Sequence, residues 1–259
     1  MNDVENVTKE LSEAAFLHTD LIAVGHDVGR NFRMAGLGSV TLISYKNKQY
    51  AITCEHVVHN CTLFFSGAGK GDTPSINEKD ILRCKNLKLI TTCELHDIAI
   101  LSGYNPDSKT KKSFYPLEES DSITFESLSK NLGTLCLFDG VWGKYTQKGP
   151  WNDILYFDTC YVSAWSGIAD VKENEIIVDF AAKEITEKRT DVFPKLAEVE
   201  ATGGTLDFSG CSGCGLWVKF MSKPVLIGIL LGRAICDVKT QHLIRFTPIW
   251  KIKEILGKI

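Results

Sequence analysis

Short β-rich runs separated by polar turns recur along most of this chain of 259 residues. Two of them, residues 39–45 and 49–53, flank the polar turn KNK, which is a pattern typical of a β-hairpin. Further candidate strands lie in the segments LKLITTC, DIAILSG, GTLCLF, ILYFDTCYVS, EIIVDF, GCGLWVKF, PVLIGILLG and HLIRFTP. Such closely spaced short runs predict an all-β fold.

Polar stretches divide this β-rich sequence into two lobes. Residues 1–20 predict an N-terminal helix or leader, and residues 21–104 predict a first β-lobe. Residues 105–130 are polar and charged, contain two prolines and lack sustained alternation, so they predict a linker. Residues 131–259 then form the predicted second lobe.

Two further features belong to the predicted second lobe. The polar stretch at residues 181–204 is longer than an ordinary hairpin loop and predicts a surface insertion with some helix. In IWKIKEIL, the apolar residues Ile249, Ile252 and Leu256 recur at helical spacing directly after a proline. This pattern predicts a terminal helix packed on the second lobe.

Composition and charge exclude several classes of function. The chain is 44% hydrophobic with a net charge of −3, which suffices for a sizeable core and gives no basic stripe for nucleic acid. The start, MNDVENVTKELSEAAFL, lacks the basic region of a secretory signal, and no apolar run reaches the roughly 18 residues of a membrane span. We therefore expect a cytoplasmic protein with no membrane or nucleic-acid partner. Its nine irregularly spaced cysteines then indicate buried thiols rather than a disulfide framework.

Three separated motifs carry residues that suit nucleophilic catalysis. In DFSGCSGCGLWV, glycines flank Ser212 and permit a tight bend on which backbone N–H groups converge. Alone this signal is weak, because turns rich in glycine and serine are common. However, His56 follows an apolar strand in YAITCEHVV, and Asp97 stands at the head of another strand in ELHDIAIL. A hydroxyl nucleophile needs a base, and the base needs a carboxylate, so the three residues together supply each role.

These motifs resemble those of the trypsin-like (chymotrypsin-fold) serine peptidases, particularly their intracellular and bacterial branch. The matching segments are GLGSVTLI, AITCEHVV, DIAIL, GCSGCGLW and VLIGILLG. The resemblance implies two packed six-stranded antiparallel β-barrels with the catalytic residues at their junction. It implies His56 as general base, Asp97 as its orienting carboxylate, Ser212 as nucleophile, and the backbone N–H groups of Gly210 and Ser212 as the oxyanion hole.

The sequence also departs from the family pattern. Cys211 precedes the nucleophile where Asp or Asn is common, and Cys214 replaces a glycine. The spacing of the glycines still favours Ser212 over either cysteine as nucleophile. Only Ser212 has a glycine two residues before it and another glycine directly after it. The resemblance gives four candidates for the substrate pocket, Leu206, Asp207, Gly228 and Ile229. Leu206 occupies the place of the carboxylate of trypsin, so cleavage after basic residues is not implied.

The segment CEHVVHNC, residues 54–61, offers residue types that bind zinc. A zinc alternative combines Cys54, and His59 or Cys61, with Cys211 and Cys214. The spacing favours catalysis instead, since only CSGC forms the compact cysteine pair of structural zinc sites. We therefore expect no metal or organic cofactor, with Cys54 in the core of the first barrel.

Three hypotheses for function follow. The first is a serine endopeptidase that hydrolyses peptide bonds of a protein or peptide substrate through an acyl-enzyme, restrained by narrow substrate choice or by an activating or regulatory protein partner. Stress and phage-defence systems would suit such an enzyme, by analogy at the level of the fold. The second is a catalytically inactive scaffold of the same fold that binds proteins, and the third is a zinc-bound structural protein.

Overall fold

A computed structural model describes residues 3–28, 31–66, 75–76, 87–104, 112–141, 147–148, 155–158, 161–179, 185–187, 210–233 and 243–259 of the protein. The helices are α1 (Asp3–His18), α2 (Glu55–Val58), α3 (Phe125–Ser129) and α4 (Ile249–Leu256). The strands are β1 (Thr19–Val28), β2 (Asn31–Tyr45), β3 (Lys48–Thr53), β4 (Leu63–Ser66), β5 (Ser75–Ile76), β6 (Lys88–Cys93), β7 (Ile98–Ser102), β8 (Tyr115–Pro116), β9 (Leu135–Val141), β10 (Gln147–Lys148), β11 (Leu155–Asp158), β12 (Tyr161–Val171), β13 (Ile176–Asp179), β14 (Ile185–Glu187), β15 (Gly215–Phe220), β16 (Lys223–Arg233) and β17 (Leu243–Pro248). Two 3₁₀ turns span Glu94–His96 and Leu117–Ser120.

The first lobe is an antiparallel sheet in the order β4-β1-β2-β3-β7-β6, to which β8 adds in parallel along β2. The predicted hairpin is confirmed, because β2 and β3 pair with Tyr45 opposite Lys48. Lys46 and Asn47 between them have φ of 49° and 63°. Two consecutive positive φ values are those of a type I′ turn, whose twist matches that of the paired strands. The core of this lobe is mainly aliphatic, with Ile22, Val24, Val40, Leu42, Ala51 and Leu101 buried together.

The second lobe is a closed six-stranded barrel. Its strands run in the order β13-β17-β16-β15-β9-β12, and a pairing between β12 and β13 closes the ring. Trp217, Phe138 and Phe246 are fully buried inside its hydrophobic cluster. A short three-stranded sheet, β10-β11-β5, completes the described strands. The predicted all-β class is therefore confirmed.

Helices lie at both ends of the chain and pack on the second lobe. The predicted terminal helix is confirmed as α4, which buries Ile249, Ile252 and Leu256. At the other end, α1 lies against β9 and β15, and its residues Leu11 and Ala15 join the core of the second lobe. Among the described helices, none combines the length and the apolar character that crossing a membrane requires.

Some expectations meet the structure only in part. The strand β1 was not predicted. Of the predicted insertion, residues 185–187 form β14, and the rest lies outside the described residues. The division into segments at residues 20, 104 and 130 stays a prediction.

Candidate active site

Side chains from three distant parts of the chain meet at the junction of the two lobes. His56 lies in α2, Asp97 directly precedes β7, and Ser212 lies in the turn before β15. His56 Nδ1 is 2.6 Å from Asp97 Oδ2, and His56 Nε2 is 3.2 Å from Ser212 Oγ. A carboxylate can only accept, so Nδ1–H donates to Asp97 and Nε2 is left to accept the Ser212 hydroxyl proton. The structure thus brings together the three residues that the sequence singled out.

The carboxylate of Asp97 is fixed by its own backbone as well as by the histidine. Asp97 adopts a left-handed conformation, with φ and ψ both 48°, and its N–H donates to the Glu94 carbonyl. Its carbonyl accepts the Glu55 N–H at 3.2 Å, and its Oδ1 accepts the His56 N–H at 2.9 Å. The backbone carbonyl and the carboxylate of Asp97 therefore both hold the first turn of α2, and this sets the position of the His56 ring.

The turn that carries Ser212 depends on glycine. Cys214 N–H donates to the Cys211 carbonyl at 3.0 Å, and Gly213 inside this turn has a φ of 95°. A Cβ atom at Gly213 would lie 2.1 Å from the Ser39 carbonyl oxygen, because the first lobe packs directly against the turn. Only glycine fits both the backbone conformation and this close approach.

Two backbone donors lie on either side of Cys211. The N–H groups of Gly210 and Ser212 carry no hydrogen bond to another residue in the described ranges. Gly210 also has a φ of 95°, and both residues are partly exposed. The oxyanion hole expected at these two N–H groups stays a prediction.

Solved structures with a similar fold include the serine endoprotease from Yersinia pestis, which matches 97% of this chain with a TM-score of 0.56 and 13% sequence identity. The chain has the chymotrypsin-like fold. It spans 65% of the length of the Yersinia protein. The Rv3671c protease from M. tuberculosis, in its active form, matches 99% of this chain and 87% of its own, with 13% identity and a TM-score of 0.47. No family model and no curated protein matches the sequence. At this identity the comparison extends to the fold, and the predicted double barrel is confirmed.

The cysteines close to Ser212 and His56 are buried thiols. Cys54, Cys211 and Cys214 are all 0% exposed. Burial raises the pKa of the Cys54 and Cys214 thiols well above the ordinary value, and for Cys54 the charge of Asp97 acts in the same direction. Protonated, buried thiols are poor nucleophiles, whereas Ser212 is partly exposed.

One expectation for these cysteines is corrected. Cys54 was expected in the core of the first barrel, but its thiol donates to the Leu230 carbonyl of β16 at 2.9 Å. It therefore lies at the junction of the lobes. In the sequence, a cysteine directly after an apolar strand is typical of a core residue. Only the packing of the second lobe against the first gives the Cys54 thiol the Leu230 carbonyl as a partner.

The site also contains residue types that bind metals. Ligand atoms of Cys54, His56 and Asp97 all lie within 4.8 Å of one another. However, His56 Nδ1 and Asp97 Oδ2 are 2.6 Å apart, whereas two ligands of a tetrahedral zinc ion at ordinary bond lengths stand about 3.3 Å apart. The short separation fits a shared proton better than an ion.

The zinc alternative from the sequence is not assembled. Among the described residues, Cys54, His56 and Asp97 are the one set of three or more possible metal ligands that lie together. His59, Cys61, Cys211 and Cys214 do not belong to this set. His59 is exposed, and its Nδ1 bonds to Glu55 at 2.7 Å instead. That hydrogen bond raises the pKa of the His59 imidazole.

Hydroxyl groups across the junction were missed by the sequence analysis. Thr41 Oγ1 donates to the Gly213 carbonyl at 2.8 Å, and Thr247 Oγ1 donates to the His96 carbonyl at 2.7 Å. The two bonds join residues 172 and 151 positions apart, so no local motif marks them. Together they tie the serine turn to the first lobe and the aspartate turn to the second.

The predicted substrate pocket stays a prediction. Leu206 and Asp207 lie outside the described residues. Gly228 and Ile229 are buried in β16 between β15 and β17, and Ile229 belongs to the hydrophobic core.

Proposed function

We propose that this protein is a serine endopeptidase that hydrolyses peptide bonds of protein substrates through an acyl-enzyme. The observation that carries the proposal is the chain of two hydrogen bonds, 2.6 Å and 3.2 Å long, from Asp97 through His56 to Ser212. The same geometry in an unrelated fold would also suggest acyl transfer, since the roles depend on geometry rather than sequence position. The likeness in fold to a serine endoprotease supports peptide bonds as the target.

Acylation follows from the direction of these hydrogen bonds. Ser212 Oγ attacks the substrate carbonyl carbon while its proton passes to His56 Nε2. The resulting imidazolium is stabilised by the Asp97 carboxylate through Nδ1–H. The negative oxygen of the tetrahedral intermediate accepts from the Gly210 and Ser212 N–H groups.

The remaining steps reuse the same groups. When the intermediate collapses, the C–N bond breaks and Nε2–H of His56 protonates the leaving amine, which leaves the acyl group on Ser212 Oγ. Water then gives its proton to Nε2 and attacks the ester carbonyl. Collapse of the second intermediate returns the proton to Ser212 and releases the carboxylic acid.

A peptide-library cleavage assay tests the proposal and reads out the preferred residue at the cut. We expect wild type to cleave a defined subset of peptides, and Ser212→Ala to lose about 10⁴-fold or more in rate. Ser122→Ala is the matched control, because Ser122 is exposed and lies in the turn before α3. Equal cleavage by wild type and Ser212→Ala would favour the inactive scaffold that only binds proteins.

We propose further that the enzyme acts in the cytoplasm and is restrained there by narrow substrate choice or by a protein partner. Among the described cysteines, Cys54, Cys61, Cys93 and Cys214 form no disulfide, as suits a reducing compartment. An unrestrained peptidase would damage its surroundings. The isolated chain should therefore cleave generic peptides slowly, and rapid digestion of casein by the chain alone would contradict this restraint.

A further inference from the structure

Ser39 in β2 is fully buried, and each of its polar groups is bonded. Its N–H donates to the Ser212 carbonyl and its Oγ–H donates to the Gly210 carbonyl, both at 2.9 Å. Its Oγ also accepts the Val141 N–H at 2.9 Å, and its carbonyl accepts the Thr53 hydroxyl at 2.8 Å. One residue of the first lobe therefore holds the carbonyls of both residues whose N–H groups form the proposed oxyanion hole.

The direction of the Ser39 hydroxyl is determined by its neighbours. A backbone N–H can only donate, so Val141 must occupy a lone pair of Ser39 Oγ, and the hydroxyl proton points to the Gly210 carbonyl. Val141 ends β9 and is also fully buried. The hydroxyl thus links β2, the end of β9 and the serine turn in one fixed arrangement.

Gly210 needs such a restraint because glycine adopts positive and negative φ with similar ease. Its observed φ of 95° therefore does not follow from its own sterics. The Ser39 hydroxyl fixes the carbonyl of the peptide unit between Gly210 and Cys211, and this limits the rotations of Gly210 that connect this unit to the Gly210 N–H. An oxyanion donor acts only when it points at the charge that develops, so the restraint bears directly on the transition state.

We infer that Ser39 is a positioning residue that holds Gly210 in the orientation needed to bind the oxyanion. This inference rests on the proposed peptidase function. Loss of the hydroxyl leaves the bound substrate unaffected but releases a transition-state donor, so kcat falls while KM stays nearly constant. Complete loss of one such donor costs about 10²- to 10³-fold, and we expect about 10- to 100-fold in kcat for a donor that is loosened.

The test compares the steady-state kinetics of Ser39→Ala with those of Ser120→Ala. Ser120 is likewise fully buried, and its hydroxyl donates to the Leu226 carbonyl at 2.8 Å, so the control loses the same kind of bond elsewhere in the fold. Ser39→Ala should lose kcat and bind a peptide boronate more weakly by a similar factor. Ser120→Ala should keep both values, and Ser39→Thr, which retains the hydroxyl, should restore most of kcat.

The outcomes separate the inference from the proposed function. Wild type that neither turns over peptides nor reacts with a fluorophosphonate would overturn the peptidase proposal and this inference with it. An active wild type with unchanged kcat in Ser39→Ala would overturn the inference alone, as would equal losses of kcat in Ser39→Ala and Ser120→Ala. If Ser39→Ala does not fold, Ser39→Cys provides the same comparison, because a thiol of similar size donates weakly.

Discussion

A single added carbon at Gly213 should disrupt the junction on which the site depends. In Gly213→Ala the new Cβ would stand 2.1 Å from the Ser39 carbonyl oxygen and 2.5 Å from Thr53 Oγ1. To reach 3.0 Å from that carbonyl oxygen, the lobes must separate locally by about 0.9 Å, the shortfall from ordinary packing distance. This would stretch two hydrogen bonds that cross between the lobes, from Ser39 N–H to the Ser212 carbonyl and from Thr41 Oγ1 to the Gly213 carbonyl, now 2.9 and 2.8 Å, beyond useful length.

The magnitude follows from these contacts. Two lost hydrogen bonds cost about 1 kcal/mol each or more when their partners stay buried, and a positive φ adds about 1–2 kcal/mol for alanine. We therefore expect Gly213→Ala to lower the free energy of unfolding by about 3–5 kcal/mol.

Equilibrium unfolding in urea measures this loss, with Gly133→Ala as the control. Gly133 also has a positive φ, 79°, but a Cβ there meets no atom within 4 Å. The control should therefore show only the cost of the backbone conformation, about 1–2 kcal/mol. Equal destabilisation by the two substitutions would refute the tight contact between the serine turn and the first lobe.

Three other perturbations test separate parts of the site. Asp97→Asn should lower kcat/KM by about 10⁴-fold, because an amide N–H facing Nδ1 of His56 forces the wrong tautomer; peptide hydrolysis measures this, and a rate near wild type would exclude the carboxylate role. Iodoacetamide at pH 7.5 should leave activity intact, since burial raises the pKa of the Cys214 thiol; inactivation that tracks alkylation of Cys214 would favour a thiol nucleophile. Burial lowers the pKa of the His18 imidazole, so as the pH falls the unfolded chain takes up a proton at His18 before the folded chain does. The stability that neutral His18 contributes is therefore present above about pH 6.5 and is lost as the pH falls through the folded-state pKa. Urea unfolding at several pH values should then show a shallower acid-side loss in His18→Phe than in wild type, and identical slopes would contradict a neutral buried His18.

Local patterns in the sequence predict much of the fold. The turn KNK predicts the hairpin of β2 and β3, and apolar spacing predicts α4 over residues 249–256, because both signals depend on neighbours in sequence. By contrast, β1 escaped prediction, since its apolar run is short and is interrupted by Gly25, His26 and Asp27. Its place between β2 and β4 is decided by pairing across the sheet, which local propensity does not encode.

The candidate site divides in the same way. His56, Asp97 and Ser212 stand out because each lies in a short motif of recognisable chemistry. Ser39 does not stand out, because the carbonyl that its hydroxyl holds belongs to a residue 171 positions away. Motifs therefore predict the reacting groups, whereas the groups that orient them emerge only when the two lobes are packed together.

The nucleophile itself is tested most directly by mass spectrometry after reaction with a fluorophosphonate. We predict one adduct per wild-type chain, located on the peptide that contains Ser212, and no adduct in Ser212→Ala under the same conditions. An adduct on another residue, or equal labelling of the two proteins, would contradict a reaction in which His56 and Asp97 activate the Ser212 hydroxyl.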